Sequence, residues 1–503
     1  MPDFRILRHL AATVAMILLA AAPAGLVAQE PSRQAELDRF QASLDSLVPA
    51  LLDELSTPGA AVAVLRDGQV ALAKGYGWAN REKRQPVTTS TLFNIGSISK
   101  THAAWGLLRL VEDGKLDLDT PVEHYLTRWH LPPSAFDHDK VTLRRLLSHT
   151  AGLRLHGYPG FKPDESLPTI EESLSGNTNG SGDVRVIMEP GTRWQYSGGG
   201  YTIAQLLVEE VTGRPFADYM HDAVFAPLGM TSSSYLWNAM VDARAAQPYG
   251  AVAPIPGPRF TAQAAASLET SLEDFIRFAR ASMSSERPEF ATTVLPPATV
   301  RAMQQPVAPS NDYGLGYSVH AVNGVRALGH GGSNAGWQAQ FLVIPATGDG
   351  IILMTNASLG HEILNQVLCG WLRAAMGETR RCVKGIGAVI AGTVARAGVR
   401  DAVAGYRRLK AADPADYDFR EPQLNSLGYA LIVEGRLADA IAVFELNVEA
   451  YPEGYNAYDS LGEALLARGD TVSAIRNYEK SVQLNAQNQN GIDVLKRIKG
   501  PPE

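Results

Sequence analysis

The sequence predicts an α+β fold in which one antiparallel sheet is flanked by helices and carries an all-helical insert. Two apolar runs at residues 59–66 and 69–78 are separated by Asp67-Gly68, a dipeptide typical of a β-hairpin. Strand-like runs return much later in the chain, at residues 313–319, 326–328, 338–344 and 350–356. Because helical patterns fill the stretch between, the two sets of strands indicate a single sheet assembled from both ends of this region.

The elements between the strands follow from periodicity and from turn residues. The first helix starts around Ser97 and ends at Gly114, and a short helix is expected within residues 141–153. Residues 154–189 are rich in Gly, Pro, Ser and Asn, so we expect a long loop, which would lie over the candidate site around Ser97. Helical patterns then follow at residues 201–213, 216–226, 272–283 and 362–376.

The composition is globular and mildly acidic, with a formal net charge of -7 over 503 residues. This length allows about two or three domains. Because the chain has no basic run, it offers nucleic acid or an anionic membrane no electrostatic attraction, and nucleic acid is excluded as a partner. No apolar stretch after residue 28 is long enough to cross a bilayer.

Residues 1–28 have the pattern of a secretory signal peptide. Arg5 and Arg8 precede an apolar stretch over residues 10–22, and small residues precede Gln29. A retained N-terminal anchor is the alternative, and only in that case would the protein contact a membrane. We therefore expect a periplasmic or secreted protein.

The chain has two cysteines, Cys369 and Cys382. In an oxidising compartment they could pair and join the end of the first domain to the segment that follows. Two free or buried thiols are the alternative, and both remain open at this point. Neither cysteine has the neighbours of a catalytic thiol.

Ser97 and Lys100 lie three residues apart at the start of the first helix, so their side chains share one face. A serine hydroxyl becomes a good nucleophile when a neighbouring base takes its proton, and a lysine amine can be that base. Free N–H groups at a helix N-terminus also stabilise an oxyanion. Taken alone, the motif is more typical of an N-cap serine followed by a solvated lysine.

Two Gly-rich stretches supply candidate partners for this pair. Tyr196 stands on a turn followed by three glycines, which allow a close approach to a nucleophile. His330 begins the stretch His-Gly-Gly-Ser before an apolar strand, where glycines leave room for a substrate backbone. Taken singly, a core tyrosine and a structural histidine in a turn explain them as well.

In this order, the three stretches resemble the motifs of the serine hydrolases that include class C β-lactamases, penicillin-binding D,D-peptidases, D-aminopeptidases and related esterases. The resemblance covers roughly residues 51–376, including the phrases Leu-Ser-His-Thr-Ala-Gly-Leu at 147–153 and Phe-Ala-Pro-Leu-Gly-Met at 225–230. It implies a β-lactamase-like domain over residues 29–380. It also implies catalysis through an acyl-enzyme, with no metal and no organic cofactor.

The resemblance implies a role for each motif residue. Ser97 would be the acylated nucleophile, and Lys100 and Tyr196 would share the work of general base and general acid. The backbone N–H groups of Ser97 and Ser333 would form the oxyanion hole. The residues that bind the substrate would be His330, Gly331 and Gly332.

Two positions depart from the motifs of this family. Gly198 stands where the Tyr-x-Asn members carry an asparagine, and His330 stands where many members carry a lysine. Both changes favour an ester or a D-amino-acid peptide or amide as substrate. The alternatives are a β-lactamase, or a penicillin-binding sensor or interaction protein without turnover. Two other classes of hydrolase are excluded. An α/β-hydrolase would need a Gly-x-Ser-x-Gly elbow, which the sequence lacks, and a zinc peptidase would need a second histidine after His361, which is also missing.

Residues 381–503 are expected to form a linker and a small all-α helical-repeat domain. Similar residues recur at an offset of 34 in this segment, as in the pairs Leu427/Leu461, Gly428/Gly462, Ala440/Ala474 and Phe444/Tyr478. The spacing resembles the tetratricopeptide repeat, whose helical hairpins stack through small residues. Such a domain would either bind a protein partner or only cap and stabilise the enzyme.

Overall fold

The computed structural model describes residues 32–179, 181–412 and 414–500. The predicted signal peptide at residues 1–28 lies outside the described residues. Within these ranges, no helix combines the length and the apolar character needed to cross a membrane.

The strands confirm the sheet that the sequence predicts. In chain order they are β1 (Gly59–Arg66), β2 (Gln69–Asn80), β3 (Gln85–Pro86), β4 (Leu92–Asn94), β5 (Glu269–Ser271), β6 (Ser318–Val322), β7 (Val325–Asn334), β8 (Trp337–Ile344), β9 (Asp349–Thr355), β10 (Lys384–Gly385) and β11 (Tyr417–Asp418). Seven of them form one sheet in the order β3-β2-β1-β9-β8-β7-β6. All neighbours in this sheet are antiparallel, and β1 joins the early strands to β9.

Two predicted strands differ from the structure in their limits. The strand expected at 313–319 begins only at Ser318, because Gly314 and Gly316 lie in a turn before it. The strand expected at 326–328 continues to Asn334, so the stretch from His330 to Ser333 lies within β7 rather than before a strand. Gly331 and Gly332 have a low strand propensity of their own, but their backbone pairs with β8 and so extends the strand through them.

Helices cover both faces of the sheet. The described helices are α1 (Arg33–Glu54), α2 (Ser99–Glu112), α3 (Leu143–Leu147), α4 (Ile170–Leu174), α5 (Gly198–Thr212), α6 (Phe216–Met220), α7 (Ala239–Arg244), α8 (Gln263–Ala266), α9 (Leu272–Ser282), α10 (Pro297–Met303), α11 (His361–Met376), α12 (Ile386–Ala397), α13 (Val399–Ala412), α14 (Pro422–Val433), α15 (Leu437–Ala450), α16 (Tyr455–Ala467), α17 (Thr471–Leu484) and α18 (Gln489–Lys499). The helical insert that the sequence predicts lies between β2 and β6, and it holds α2 to α10.

The central strand β1 shows why two layers of helices are needed. Its alternating side chains enter two separate hydrophobic cores, with Ala61, Ala63 and Leu65 on one face and Ala60, Val62 and Val64 on the other. The first core contains α2, α5 and α9 of the insert. The second core contains α1 and α11 together with helices of the C-terminal region. A sheet that is apolar on both faces must be covered on both.

The C-terminal region is helical, as predicted, and it packs against the domain that holds the large sheet rather than standing apart. Gly392 of α12 contacts α1 so closely that a Cβ there would lie 2.4 Å from the carbonyl oxygen of Glu54. Gly428 faces Phe444, and Gly462 faces Tyr478 in the same way 34 residues later. These paired contacts are consistent with a repeated helical hairpin, and the tetratricopeptide assignment stays a prediction.

A disulfide between Cys369 and Cys382 joins α11 to the start of the C-terminal region, with the two Cα atoms 5.8 Å apart. The structure therefore selects the paired alternative for these two residues. The covalent link holds the segment after α11 near that helix.

Candidate active site

Ser97 lies in a 3-10 turn, Gly96–Ile98, directly before α2. The sequence places Ser97 at the start of the helix, whereas α2 itself begins two residues later at Ser99. Gly96 has a φ of +51°, a conformation that glycine adopts without a steric penalty. The turn leaves Ser97 half-buried, between residues that are buried on both sides.

Lys100 is the immediate partner of Ser97. Its side chain is only 2% exposed, and Nζ donates hydrogen bonds to Ser97 Oγ at 3.1 Å and to the Ala265 carbonyl oxygen at 2.7 Å. Because Ala265 fixes one side of the amine, the lysine is held with its nitrogen against the serine hydroxyl. The predicted pair is therefore brought together.

Tyr196 lies beside the same amine. Lys100 Nζ is 5.0 Å from the centroid of the Tyr196 ring. In the described part of the chain, no hydrogen bond joins the Tyr196 hydroxyl to Lys100 or to Ser97. The structure thus places Tyr196 at the site as predicted, and its contact with the pair is through the ring.

His149 holds Tyr196 in place, and sequence reasoning did not assign it this role. The N–H of Gln195 donates to the His149 carbonyl oxygen at 2.8 Å, and the N–H of Ser197 donates to His149 Nδ1 at 3.1 Å. The two rings are tilted against each other with centroids 4.1 Å apart. His149 belongs to the phrase at residues 147–153, which was the available signal. Burial lowers its pKa well below the usual value, so the ring is a neutral acceptor.

Strand β7 touches the serine turn through glycines on both sides. A Cβ on Gly332 would lie 1.9 Å from the Ile95 carbonyl oxygen, and one on Gly96 would lie 2.6 Å from the Ser333 nitrogen. Only glycine permits such an approach, which brings the backbone of Ser333 next to the turn that carries Ser97. Gly331 faces the other way, toward the side chain of Gln340.

His330 belongs to the same strand, its side chain is buried, and its ring is neutral. Nδ1 contacts the Gly331 carbonyl oxygen at 2.5 Å, and Nε2 contacts the Tyr313 hydroxyl at 2.9 Å. Because a carbonyl only accepts, Nδ1 carries the proton and Nε2 accepts from Tyr313. Burial, reinforced by the positive charge of Lys100, lowers the pKa of His330 to about 4.

A buried network behind the site was not predicted from the sequence. Asn94 Oδ1 accepts hydrogen bonds from the Gly96 N–H at 2.9 Å and from Asn334 Nδ2 at 2.7 Å. Asn334 Nδ2 also donates to the Ala266 carbonyl oxygen at 2.9 Å. Glu269 Oε1 accepts from Asn94 Nδ2 at 3.0 Å, and burial raises the pKa of Glu269 to about 7. The network ties the serine turn to the end of β7 and to the segment that positions Lys100.

Gly198 shows why the missing asparagine is not a simple deletion. Its N–H donates to the His156 carbonyl oxygen at 2.9 Å, and a Cβ on Gly198 would lie 3.0 Å from that oxygen. The backbone of His156 and Gly157 therefore occupies the space next to position 198. These two residues belong to the long loop predicted at 154–189.

The predicted site residues line one cavity of about 760 Å³. They are Ser97, Lys100, Tyr196, Gly198, His330, Gly331, Gly332 and Ser333. Across the described ranges, no group of three or more His, Cys, Asp and Glu side chains is arranged to hold a metal ion. The cavity thus brings a paired serine and lysine together with backbone N–H groups in one cleft.

The fold and the cleft define a β-lactamase-like hydrolase. A family model described as Beta-lactamase matches residues 44–365, and the chain belongs to that family.

Individual relatives carry several names. Penicillin-binding protein 4 of Amycolatopsis lactamdurans is 30% identical over 65% of this chain and 87% of its own length. A D-aminopeptidase of Gluconobacter oxydans is 28% identical over 68% of this chain and 63% of its own length. Unguisins hydrolase ungD' of Aspergillus campestris is 28% identical over 66% and 64% respectively. This chain thus spans less than two thirds of the last two proteins.

A solved structure supports the fold. The octameric penicillin-binding protein homologue from Pyrococcus abyssi aligns with a TM-score of 0.55 at 27% identity. The alignment covers 63% of this chain and 74% of that one.

Proposed function

We propose that the protein is a serine hydrolase that forms an acyl-enzyme on Ser97 and acts on an ester or a D-amino-acid peptide or amide. The observation that carries this proposal is the 3.1 Å hydrogen bond between Lys100 Nζ and Ser97 Oγ. A nucleophile and a base within hydrogen-bonding reach are what covalent acyl transfer requires. The carbonyl oxygen of Ala265 accepts a second hydrogen bond from Lys100 Nζ and so holds the amine beside the serine.

In the first step, the Ser97 hydroxyl oxygen attacks the carbonyl carbon of the substrate while its proton passes to Lys100. The negative charge that develops on the carbonyl oxygen is stabilised by the backbone N–H groups of Ser97 and Ser333. The close approach of β7 to the serine turn supports this pair of donors. Collapse of the intermediate breaks the bond to the leaving group, which takes a proton from Lys100 or Tyr196.

In the second step, water attacks the acyl-enzyme with the same residues acting in reverse. Lys100 or Tyr196 takes one proton from the attacking water and passes it to Ser97 Oγ as the bond between Oγ and the acyl carbon breaks, so that Ser97 regains its hydroxyl and the carboxylic acid product is released. His149 would contribute by holding Tyr196 in position, because it accepts hydrogen bonds from the backbone N–H groups of the two neighbours of Tyr196, Gln195 and Ser197. No step uses a metal or an organic cofactor.

The substrate class rests on the two departures from the family motifs. His330 is neutral at pH 7, because its pKa lies at about 4, so it gives a substrate carboxylate no charge-assisted contact there. The backbone of His156 fills the space beside Gly198, where other members place an amide side chain. Both observations favour esters and D-amino-acid amides over β-lactams. The name of the Gluconobacter relative, D-aminopeptidase, agrees with this choice.

A β-lactamase and a penicillin-binding sensor without turnover are the second candidates, and the relative named Penicillin-binding protein 4 favours them. Comparison of nitrocefin with p-nitrophenyl butyrate at pH 7 separates these candidates. We expect the ester to have the higher kcat/KM. A preference for nitrocefin by more than about tenfold would restore the β-lactamase.

The nucleophile is tested by covalent labelling with a fluorophosphonate probe. Ser97→Ala should abolish labelling and ester hydrolysis, whereas Ser46→Ala, at an exposed position of α1, should retain both. Labelling at the wild-type level in Ser97→Ala would refute the assignment of Ser97.

We also propose that the protein is exported to the periplasm or the medium. The sequence pattern of residues 1–28 supports this, and so does the Cys369–Cys382 disulfide, because disulfides persist in oxidising compartments. Cell fractionation followed by N-terminal sequencing would test it. A full-length chain in the cytosol would contradict export. A protein partner on the C-terminal helices stays a prediction.

A further inference from the structure

The active-site cavity continues along α11 toward the C-terminal region. A second cavity of about 630 Å³ lies next to the first one, and three residues of α11 line both of them: His361, Asn365 and Leu368. The far end of the second cavity is lined by residues of the disulfide loop and by Asp418, Arg420 and Gln423. The two cavities therefore form one groove, whose near end is Ser97 and whose far wall belongs to the C-terminal region.

The length of this groove follows from helix geometry. His361, Asn365, Leu368 and Leu372 recur at helical spacing, so they form one stripe along α11. A helix rises about 1.5 Å per residue, so the stripe from His361 to Leu372 is about 16 Å long. An extended peptide rises about 3.3 Å per residue. The stripe on α11 alone thus has the length of about five residues of an extended chain, which is more than a small ester needs.

Three arginines and two acidic residues line the second cavity. Arg420 and Arg381 are 83% and 60% exposed at their side chains. Of the acids that line the same cavity, Asp418 is 13% exposed and is paired with Arg420, and Glu362 is 3% exposed. Arg420 is thus neutralised by Asp418, and Arg381 is neutralised by Asp416, whose side chain is 51% exposed.

Arg380 is the cation that is available to a ligand. It is exposed and lines the groove, and in the ranges that the structure describes no carboxylate lies within ion-pairing distance of its guanidinium. Glu378, its neighbour in the chain, accepts hydrogen bonds from the backbone N–H groups of Thr379 and Arg380 instead. Carboxylate and phosphate groups both match a free guanidinium, and a peptide supplies a carboxylate at its C-terminus.

We infer that the groove is a distal binding site for an extended peptide of at least about five residues, whose carboxylate end lies toward Arg380 while its scissile bond lies at Ser97. The inference rests on the proposed function, and it gives that function a substrate class: peptides that end in a free carboxylate, rather than small esters. It also gives the C-terminal region a role, because that region forms one wall of the site.

The test measures competition with the hydrolysis of p-nitrophenyl butyrate. The competitors are N-acetylated D-alanine peptides of two and five residues, each with a free carboxylate or as the amide. Wild type is compared with Arg380→Gln and with Arg408→Gln, which removes an exposed arginine of α13 outside the groove. Thermal melting checks that both variants are folded.

In wild type, the inhibition constant should fall by at least about tenfold from two residues to five. The pentapeptide acid should bind about three- to fivefold more tightly than its amide, the range expected for an exposed ion pair. Arg380→Gln should bring this ratio to about one, and Arg408→Gln should keep it. Equal constants for both lengths, or an acid-to-amide ratio that survives in Arg380→Gln, would overturn the inference.

Failure of the proposed function is recognised separately. If wild type does not hydrolyse the ester, calorimetric titration of the same peptides still decides the groove. Tighter binding of the pentapeptide acid than of its amide in that titration supports the distal site, and no difference refutes it.

Discussion

Replacement of Gly332 by alanine tests whether the contact between β7 and the serine turn creates the site. The new Cβ would lie 1.9 Å from the Ile95 carbonyl oxygen and 3.1 Å from the Ser97 nitrogen. Ordinary contacts begin at 3.4 Å, so strand and turn must separate by about 1.5 Å. A misplacement of about 1 Å at reacting groups costs on the order of a hundredfold in rate. We therefore expect kcat/KM to fall by at least about a hundredfold, or about 2.7 kcal/mol.

The matched control is Gly331→Ala, one residue earlier in the same strand. Its Cβ would meet only the side chain of Gln340, whose Oε1 atom would lie 2.8 Å away, and this flexible side chain can move. The loss there should stay below about tenfold. The assay is steady-state hydrolysis of p-nitrophenyl butyrate, with circular dichroism to compare folding. If Gly332→Ala loses no more activity than Gly331→Ala, the close approach of strand and turn is not what forms the oxyanion site.

Three further predictions concern residues around the site and in the core. Lys100→Ala and Tyr196→Phe should each slow acylation by on the order of a hundredfold in a stopped-flow assay, and full activity in either variant would remove that residue from the mechanism. Asn94→Leu should lower kcat by about tenfold or more, since it releases the serine turn; Glu269→Gln keeps an oxygen acceptor and should lose less, and the reverse order would contradict the network. His102 is buried, and burial lowers its pKa from 6.5 to about 3. Below pH 6.5 the unfolded chain therefore binds a proton at this residue that the native state does not bind, and the free energy of unfolding decreases as the pH is lowered. His102→Phe should remove about 1.6 kcal/mol of this loss between pH 6.5 and 5, measured by thermal melts, and identical pH slopes in both proteins would refute it.

Local spacing allowed part of the fold and site to be predicted. The hairpin around Asp67-Gly68 and the contact of Ser97 with Lys100 each depend on residues close in sequence, and both are confirmed. Helix α1 was missed, although Leu37, Phe40 and Leu44 recur at helical spacing and are buried. Its role became visible only from the second apolar face of β1, which α1 and α11 cover.

The site beyond the first motif depended on resemblance rather than on spacing. Tyr196 and His330 lie far from Ser97 in the chain, and no periodicity relates them. Their assignment to one cleft came from the order of the family motifs, and the structure places both there. Asn94 and Glu269 carry no motif at all, because a buried hydrogen-bond network is defined by geometry between distant segments.

The sequence by itself determined the local chemistry of this protein: a serine and a lysine one turn apart, strands at both ends of a helical region, and a helical tail with an offset of 34. Tertiary structure decided three further features: the protonation of His330, the loop backbone beside Gly198, and the groove that leads to Arg380. The physical reason is that spacing along one element fixes which side chains share a face. Burial, close backbone approach and the walls of a cleft arise from packing between segments that are distant in the chain.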